Sequence, residues 1–419
     1  MSNDLTFRIG ADVMRVEMPF VYPLEAPHNP PCCTERHSLV CFHATTYSTT
    51  EHPGVTLFTK GRDVECRHSG GEAIMSAAHP RSDRVDERPN SALPTWVSLS
   101  KGLTTVGAST VLLFVVCAIV EPASVSFTSL SGMLPVAAVL AIAGLGQMLV
   151  VQQGGIDLSV AGGISLAVVM VTHVPNGNGS LLVPAIGLAL VFAVVAGVLS
   201  GVLIATLGLN PIIATLGTNA VLYGVNLSIS SGRPRTTTDL LAGVAGGSTL
   251  GIPNSVFFAV VALVVVAVLV KRTVVGRRFE AIGANWRMAR AAGLRIRLHQ
   301  SSAYVWAQLL YCLAGILIAG ITSMPSAYAG DSYLLPSIAA VVLGGTSLLG
   351  GRGFALPTVI AAVFLQQLIQ FVSVLGVSSA ISPLVQAAAL AIGISLYTVN
   401  WRAILTPFTS RAKPAAAPA

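Results

Sequence analysis

Beyond Lys101, charged residues are so sparse that they cut the chain into long uncharged tracts: 122–156, 158–232, 240–270, 298–330, 332–351 and 353–401. A membrane helix needs about 20 consecutive apolar residues, so each tract holds at least one and 158–232 has room for three. Only helices and closed barrels satisfy their backbone hydrogen bonds in lipid. Runs such as Val256–Val270 lack the alternation of a barrel strand, so residues 101–400 read as an all-α, polytopic membrane domain.

The charges that do occur are unevenly placed. Of 24 basic and 17 acidic residues in 419, the first 100 positions hold 9 and 12. A water-facing globule of this length carries far more than 10% charge. The net +7 invites a nucleic-acid reading, but the excess sits wholly in the membrane part. Lys and Arg collect there in cytoplasmic loops, so the basic excess is topological and no nucleic-acid partner is expected.

Residues 1–95 read as a polar, disordered N-terminal extension, 96–405 as the membrane domain and 406–419 as a disordered tail. The extension has no apolar stretch near its start of the kind a signal peptide needs. Cys32, Cys33, Cys41, His43, Cys66 and His68 fall at spacings that match no regular zinc pattern, so no metal is assigned. Met75 opens a short polar tail of the kind that precedes a first membrane helix, which leaves two readings of 1–74: part of the extension, or upstream sequence read in frame. Cys117 and Cys312 lie in apolar helices and pack there.

Pro, Gly and charged residues divide the membrane part into about ten segments, near 103–120, 131–152, 157–174, 181–206, 212–230, 254–270, 302–322, 334–350, 354–374 and 380–399. With the N-terminus inside, Lys101, Arg352, Arg402, Arg411, Lys413 and the eight basic residues of loop 271–300 lie inside, against Arg233 and Arg235 outside. The basic bias thus places both termini in the cytoplasm. Five plus five segments put the two halves in opposite orientations, the parity of transporters with inverted repeats.

Loop 271–300, KRTVVGRRFEAIGANWRMARAAGLRIRLHQ, carries more than charge. Asn285 is suited to cap a helix of about two turns through Met288, and Gly293 to end it. Arg287 and Arg290, three apart, then share a face. A basic loop that only fixes orientation and touches anionic lipid explains the charge equally well, but it leaves the placing of Gly276, Gly283, Asn285 and Gly293 unexplained.

Asp157 is the only acidic residue between Glu121 and Asp239. Carboxylates within membranes are costly and usually functional, which keeps an ion-coupled secondary transporter using Asp157 as the alternative reading. The competing role is local: Gly154-Gly155 breaks one helix, and Asp157 with Ser159 caps the next. Asn210-Pro211 marks a turn. Gln147, Gln152, Asp157, Thr215, Thr218 and Asn219, with Asn226, are the polar candidates for a translocation path. Thr215, Thr218 and Asn219 form one stripe on a helix, and hydrogen bonding between helices produces the same stripe. Nothing matches GxxxxGK[ST], so the chain has no P-loop for ATP. The glycines of GGTSLLGGRG (344–353) suit close packing and a tight turn.

Four stretches in order, GGIDLSVAGGISLA (154–167), LNPIIATLGTNAVLYGV (209–225), VGRRFEAIGANWRMARAAGLRI (275–296) and YLLPSIAAVVLGGTSLLGGRG (333–353), resemble the inner-membrane permease subunits of bacterial ABC importers of the ribose/xylose type, related to the branched-chain amino-acid permeases. The resemblance implies a multi-pass protein of the bacterial inner membrane that moves a monosaccharide by alternating access. It implies a second permease copy, a periplasmic sugar-binding protein and a cytoplasmic ATP-binding cassette subunit as partners, beside the membrane lipid. The chain itself then has no catalytic activity and no cofactor, with ATP bound by the partner. The resemblance also makes 276–293 the coupling helix region that docks on the ATPase, with Gly276, Arg277, Ala281, Gly283, Asn285, Ala289, Ala292 and Gly293 at the matching positions. The family shares the IDLS motif without being ion-driven, which weighs against ion coupling at Asp157.

Overall fold

The computed structural model describes residues 101–376, isolated positions from there to 388, and the backbone of four short strands ahead of 101. Two units separate, Met1–Glu87 and Arg88–Ala419. In the first, β1 (Leu5–Ile9) pairs antiparallel with β2 (Asp12–Val16), and β3 (Phe58–Thr59) with β4 (Arg62–Asp63). The Cys/His set from Cys32 to His68, Met75 and the tail 406–419 lie outside the described residues.

The second unit is helical: α1 (Lys101–Val120), α2 (Phe127–Val151), α3 (Val160–His173), α4 (Leu182–Ala205), α5 (Pro211–Ser230), the single turn α6 (Asp239–Leu241), α7 (Asn254–Arg272), α8 (Val274–Ala284), α9 (Trp286–Ala291), α10 (Ile296–Ile321), α11 (Asp331–Leu343) and α12 (Ala355–Val374). Between α6 and α7 a two-residue hairpin pairs β5 (Ser248–Thr249) with β6 (Ile252–Pro253). Nine of the ten expected segments fall on helices, and the tenth, 380–399, lies largely outside the described residues. Among the described residues, seven helices are long and apolar enough to cross a membrane. The exceptions are α3, of 14 residues, and α11, of 13, which are shorter than a full span requires. The expected segment 334–350 is cut short because the chain leaves α11 at Gly344 and turns at Gly345, with φ +85.

Helix starts follow local chemistry. The Asn210 side chain accepts from Ile212 N at 2.9 Å, and Pro211, which has no N–H to satisfy, opens α5. Ser126 accepts from Ser129 N at the head of α2. The centre of the fold is α2 packed on α10. From Ala137 to Val151 every α2 residue is buried, as expected of a helix that is apolar on all sides. α4 reaches α10 through Gly197 and Gly201. A Cβ at either would lie 2.5 Å from an α10 Cα, that of Val305 or Ser301. Small residues four apart let helices approach to backbone contact where lipid supplies no hydrophobic drive.

Matching positions in the two halves pack alike. α2 packs on α11 and α12, α10 packs on α3 and α4, and α3 meets α4 as α11 meets α12. Both short helices begin beside a carboxylate, Asp157 for α3 and Asp331 for α11. The connections collect at two ends. At one end Gly351 N donates to Gln152 O at 3.0 Å, close to Gly283. At the other, His173 Nε2 stands 3.1 Å from Arg233 O, and Thr237 N donates to Ser323 O at 3.2 Å. The alternation of sides expected from the segment count agrees with these contacts.

Candidate functional site

The loop between α7 and α10 folds as two helices. Thr273 ends α7 and accepts from Gly276 N at 3.3 Å to start α8. Sequence reasoning missed α8 as a separate helix, although Thr273 three residues ahead of Gly276 is a cap signal. The Asn285 Oδ1 accepts from Arg287 N and Met288 N, both at 3.1 Å, and so starts α9. Gly293, at φ +80, ends it, and Leu294 N returns to Ala289 O at 3.1 Å. Capping and termination are as read from the sequence.

Ile282, Ala289 and Ile296, with Leu294, form a small core that holds α8, α9 and the head of α10 together. On the other face the Arg287 and Arg290 guanidinium carbons stand 5.4 and 5.7 Å from the Trp286 ring centroid, as sharing a face requires. The Lys271–Glu280 ion pair, 3.1 Å, joins the end of α7 to α8. Both partners are partly in water, so its contribution is small.

The eight coupling-region positions divide by role. Ala289 is buried in the small core, Asn285 caps, and Gly293 turns the chain. Gly276 and Gly283 are points of close approach: a Cβ would lie 2.1 Å from Val270 O at the first and 1.9 Å from Gln152 O at the second. Arg277, Ala281 and Ala292 are exposed. The loop therefore rests by its backbone on the end of α2 and presents a basic, aromatic face outward.

The path candidates are drawn into the protein interior, where all but Gln152 join segments to one another. Thr215 Oγ1 accepts from Leu158 N at 3.0 Å and donates to Pro211 O at 2.8 Å. Thr218 Oγ1 accepts from Ser200 Oγ at 2.9 Å, and Asn219 Oδ1 accepts from Gly162 N at 2.8 Å. The polar stripe on α5 thus hydrogen-bonds α3, α4 and the chain before α3.

Asp157 is fully buried, and its Oδ1 accepts from Ser159 N at 2.9 Å and from the Ser159 hydroxyl. Gln308 Nε2 donates to the same hydroxyl at 2.6 Å. With its amide nitrogen facing Asp157 O (3.0 Å) and its oxygen facing Asp157 N (3.1 Å), Gln147 clamps the backbone of Asp157 on both sides. Tyr311 Oη stands 2.9 Å from the same amide. The carboxylate holds the turn ahead of α3 through Ser159, but Ser159, the residue that precedes the helix, makes no side-chain cap bond, so the expected cap on α3 is not formed. Gln152 lies at the end of α2, with its amide atoms buried and without hydrogen-bond partners.

Two groups of residues were missed. Tyr304, Gln308 and Tyr311 are buried on α10 at i, i+4 and i+7, one face toward the Asp157 turn. That spacing is legible in the sequence. The second group lies at the opposite end. The Tyr223 hydroxyl donates to Asp331 Oδ1 and stands 3.3 Å from Ser165 Oγ, and Gly330 N donates to Ser165 Oγ at 2.9 Å. Tyr328 lies beside Tyr223 with ring centroids 5.8 Å apart, and Asp331 is exposed. Its signal is that Asp331 is the last acidic residue of the chain.

Comparison with known proteins adds the following. Residues 129–394 match the family model described as branched-chain amino acid transport system / permease component. A probable ABC transporter permease of Sinorhizobium fredii is 34% identical over 310 residues, covering 73% of this chain and 90% of the relative. The ribose import permease of Bacillus subtilis is 34% identical over 289 residues, covering 68% and 89%. A galactofuranose transporter permease of Escherichia coli is 34% identical over 232 residues, covering 55% and 68%. No solved structure gives a significant match.

Proposed function

The chain belongs to the permease family whose model is described as branched-chain amino acid transport system / permease component, and on that premise we propose that it is the membrane subunit of an ATP-binding-cassette importer for a monosaccharide. The observation that carries the proposal is the α8–Asn285–α9 unit: a capped helix standing outside the apolar bundle yet seated by its backbone on the central helix α2. That is the geometry of a lever between a soluble motor and a membrane path. The sugar class is supported by the ribose and galactofuranose permeases among its relatives.

In this reading the chain lies in the bacterial inner membrane with both termini and loop 273–295 in the cytoplasm, supported by the basic residues of that loop. A second permease copy completes the path. A periplasmic binding protein delivers the sugar to the end that carries Tyr223, Tyr328 and Asp331. ATP is bound and hydrolysed by a separate cytoplasmic subunit, since the chain has no P-loop motif, and the permease needs no cofactor of its own. The path alternates because the coupling helix contacts the open and closed ATPase states differently, and only such a difference shifts an equilibrium. The ion-coupled alternative asks Asp157 to exchange a cation or proton with water. It is fully buried, with one oxygen committed to Ser159. Co-purification with an ATP-binding cassette subunit tests the assignment: retention of that subunit is expected, and its absence from an active transporter would contradict it.

A further inference from the structure

The loop that joins α11 to α12 carries an apolar side chain that no contact among the described residues covers. Leu349 is 91% exposed and Leu348 beside it 44%. The loop is not free to move by itself. Gly351 N donates to Gln152 O at 3.0 Å, and Gly350, at φ +90, is so close that a Cβ would lie 2.8 Å from Gly283 O and 3.0 Å from Gly154 N. Three chain segments, the end of α2, the end of α8 and this loop, therefore meet backbone to backbone. Gly283 is two residues before the Asn285 cap of α9, and Leu349, next to Gly350 in the chain, belongs to the same junction.

α9 itself exposes Trp286 (49%) and Met288 (70%). Arg287, Arg290 and, on the loop, Arg352 are exposed as well. Exposed apolar side chains on one joined support, with Arg287 and Arg290 over Trp286 and Arg352 exposed on the loop, fit a protein surface with apolar hollows bordered by carboxylates. We infer that loop 347–352 is a second docking element for the ATP-binding subunit, with Leu349 as its contact residue. The inference rests on the permease reading above and extends the contact beyond the coupling helix. A six-residue helix gives the motor one point of purchase. A second point on a loop that also touches Gln152 makes the motor's rotation, and not only its translation, felt at the end of α2.

The test uses the complete transporter in membranes, with a photo-crosslinking side chain in place of Leu349 or, separately, of Met288. Adducts with the ATP-binding subunit from both positions are expected. An adduct from position 288 alone, with position 349 giving lipid or nothing, overturns the inference while leaving the coupling helix assigned. No adduct from either position overturns the coupling assignment together with it. As a second measurement, Leu349→Asp is expected to lower retention of the ATP-binding subunit on the order of tenfold, the effect of one lost apolar contact, with thermal melting of the permease unchanged. Undiminished retention overturns the inference.

Discussion

Gly283 lies against the carbonyl oxygen of Gln152, so closely that a Cβ at 283 would stand 1.9 Å from it. The same oxygen accepts from Gly351 N at 3.0 Å. The coupling loop thus reaches the central membrane helix through backbone atoms, which have no rotamers to absorb a displacement.

Gly283→Ala places its methyl group against the Gln152 carbonyl and the Gly351 amide. Neither is the far end of a flexible side chain, so the loop must lift from α2 at a cost of about 1–3 kcal/mol. The variant is expected to insert normally, to melt at lower temperature, and to lose most ATP-driven uptake. Uptake near the wild-type rate, measured in membrane vesicles, would contradict the seating of the loop on α2.

Asn285→Ala removes the acceptor for Arg287 N and Met288 N. Loss of such a cap costs about 1 kcal/mol, enough to leave α9 frayed in a larger share of molecules. Coupled uptake is expected to fall several-fold, with Asn285→Asp restoring most of it because a carboxylate oxygen accepts the same two bonds. Equal loss in both variants would show that the side chain has a role beyond capping.

Much of this was legible beforehand. Pro, Gly and charged residues marked nine of the described helices, and Asn285 and Gly293 marked the ends of α9. Three features were not legible, each for a physical reason. The short length of α11 depends on where the chain leaves the helix, at Gly344-Gly345 inside the uncharged tract 332–351, and α3 begins only at Val160, after the turn that Asp157 and Ser159 hold. The path candidates were chosen because they were polar, but polarity alone does not separate a residue that faces a passage from one that bonds a neighbouring helix. Thr215, Thr218 and Asn219 do the latter. The junction of Gln152, Gly283 and Gly351 joins positions nearly 200 residues apart through backbone atoms, and such contacts leave only glycine as their trace.

Asp157→Asn keeps an oxygen to accept from Ser159 N and Oγ and removes the charge. If Asp157 serves the turn into α3, ATP-driven uptake persists at a comparable rate. Loss of uptake in this variant, accompanied by a cation requirement in the wild type, would restore the ion-coupled reading.

Asp331 and Tyr328 are exposed beside Tyr223 at the end opposite the coupling loop. Carboxylate acceptors and aromatic faces suit a polyhydroxylated solute leaving a binding protein. Asp331→Asn weakens one charge-assisted bond and is expected to raise the half-saturating concentration for uptake roughly fivefold, with ATP hydrolysis little changed. An effect on hydrolysis alone would remove this group from the solute's route.

The central claim is that ATP bound by a partner drives a sugar through this chain. It is tested most directly by uptake of labelled ribose into proteoliposomes holding the permease, its ATP-binding subunit and its binding protein. The account predicts uptake that stops when ATP is omitted or the ATP subunit's P-loop lysine is replaced, and that is indifferent to ionophores. Uptake that continues without ATP and collapses when the ion gradient is dissipated would contradict it.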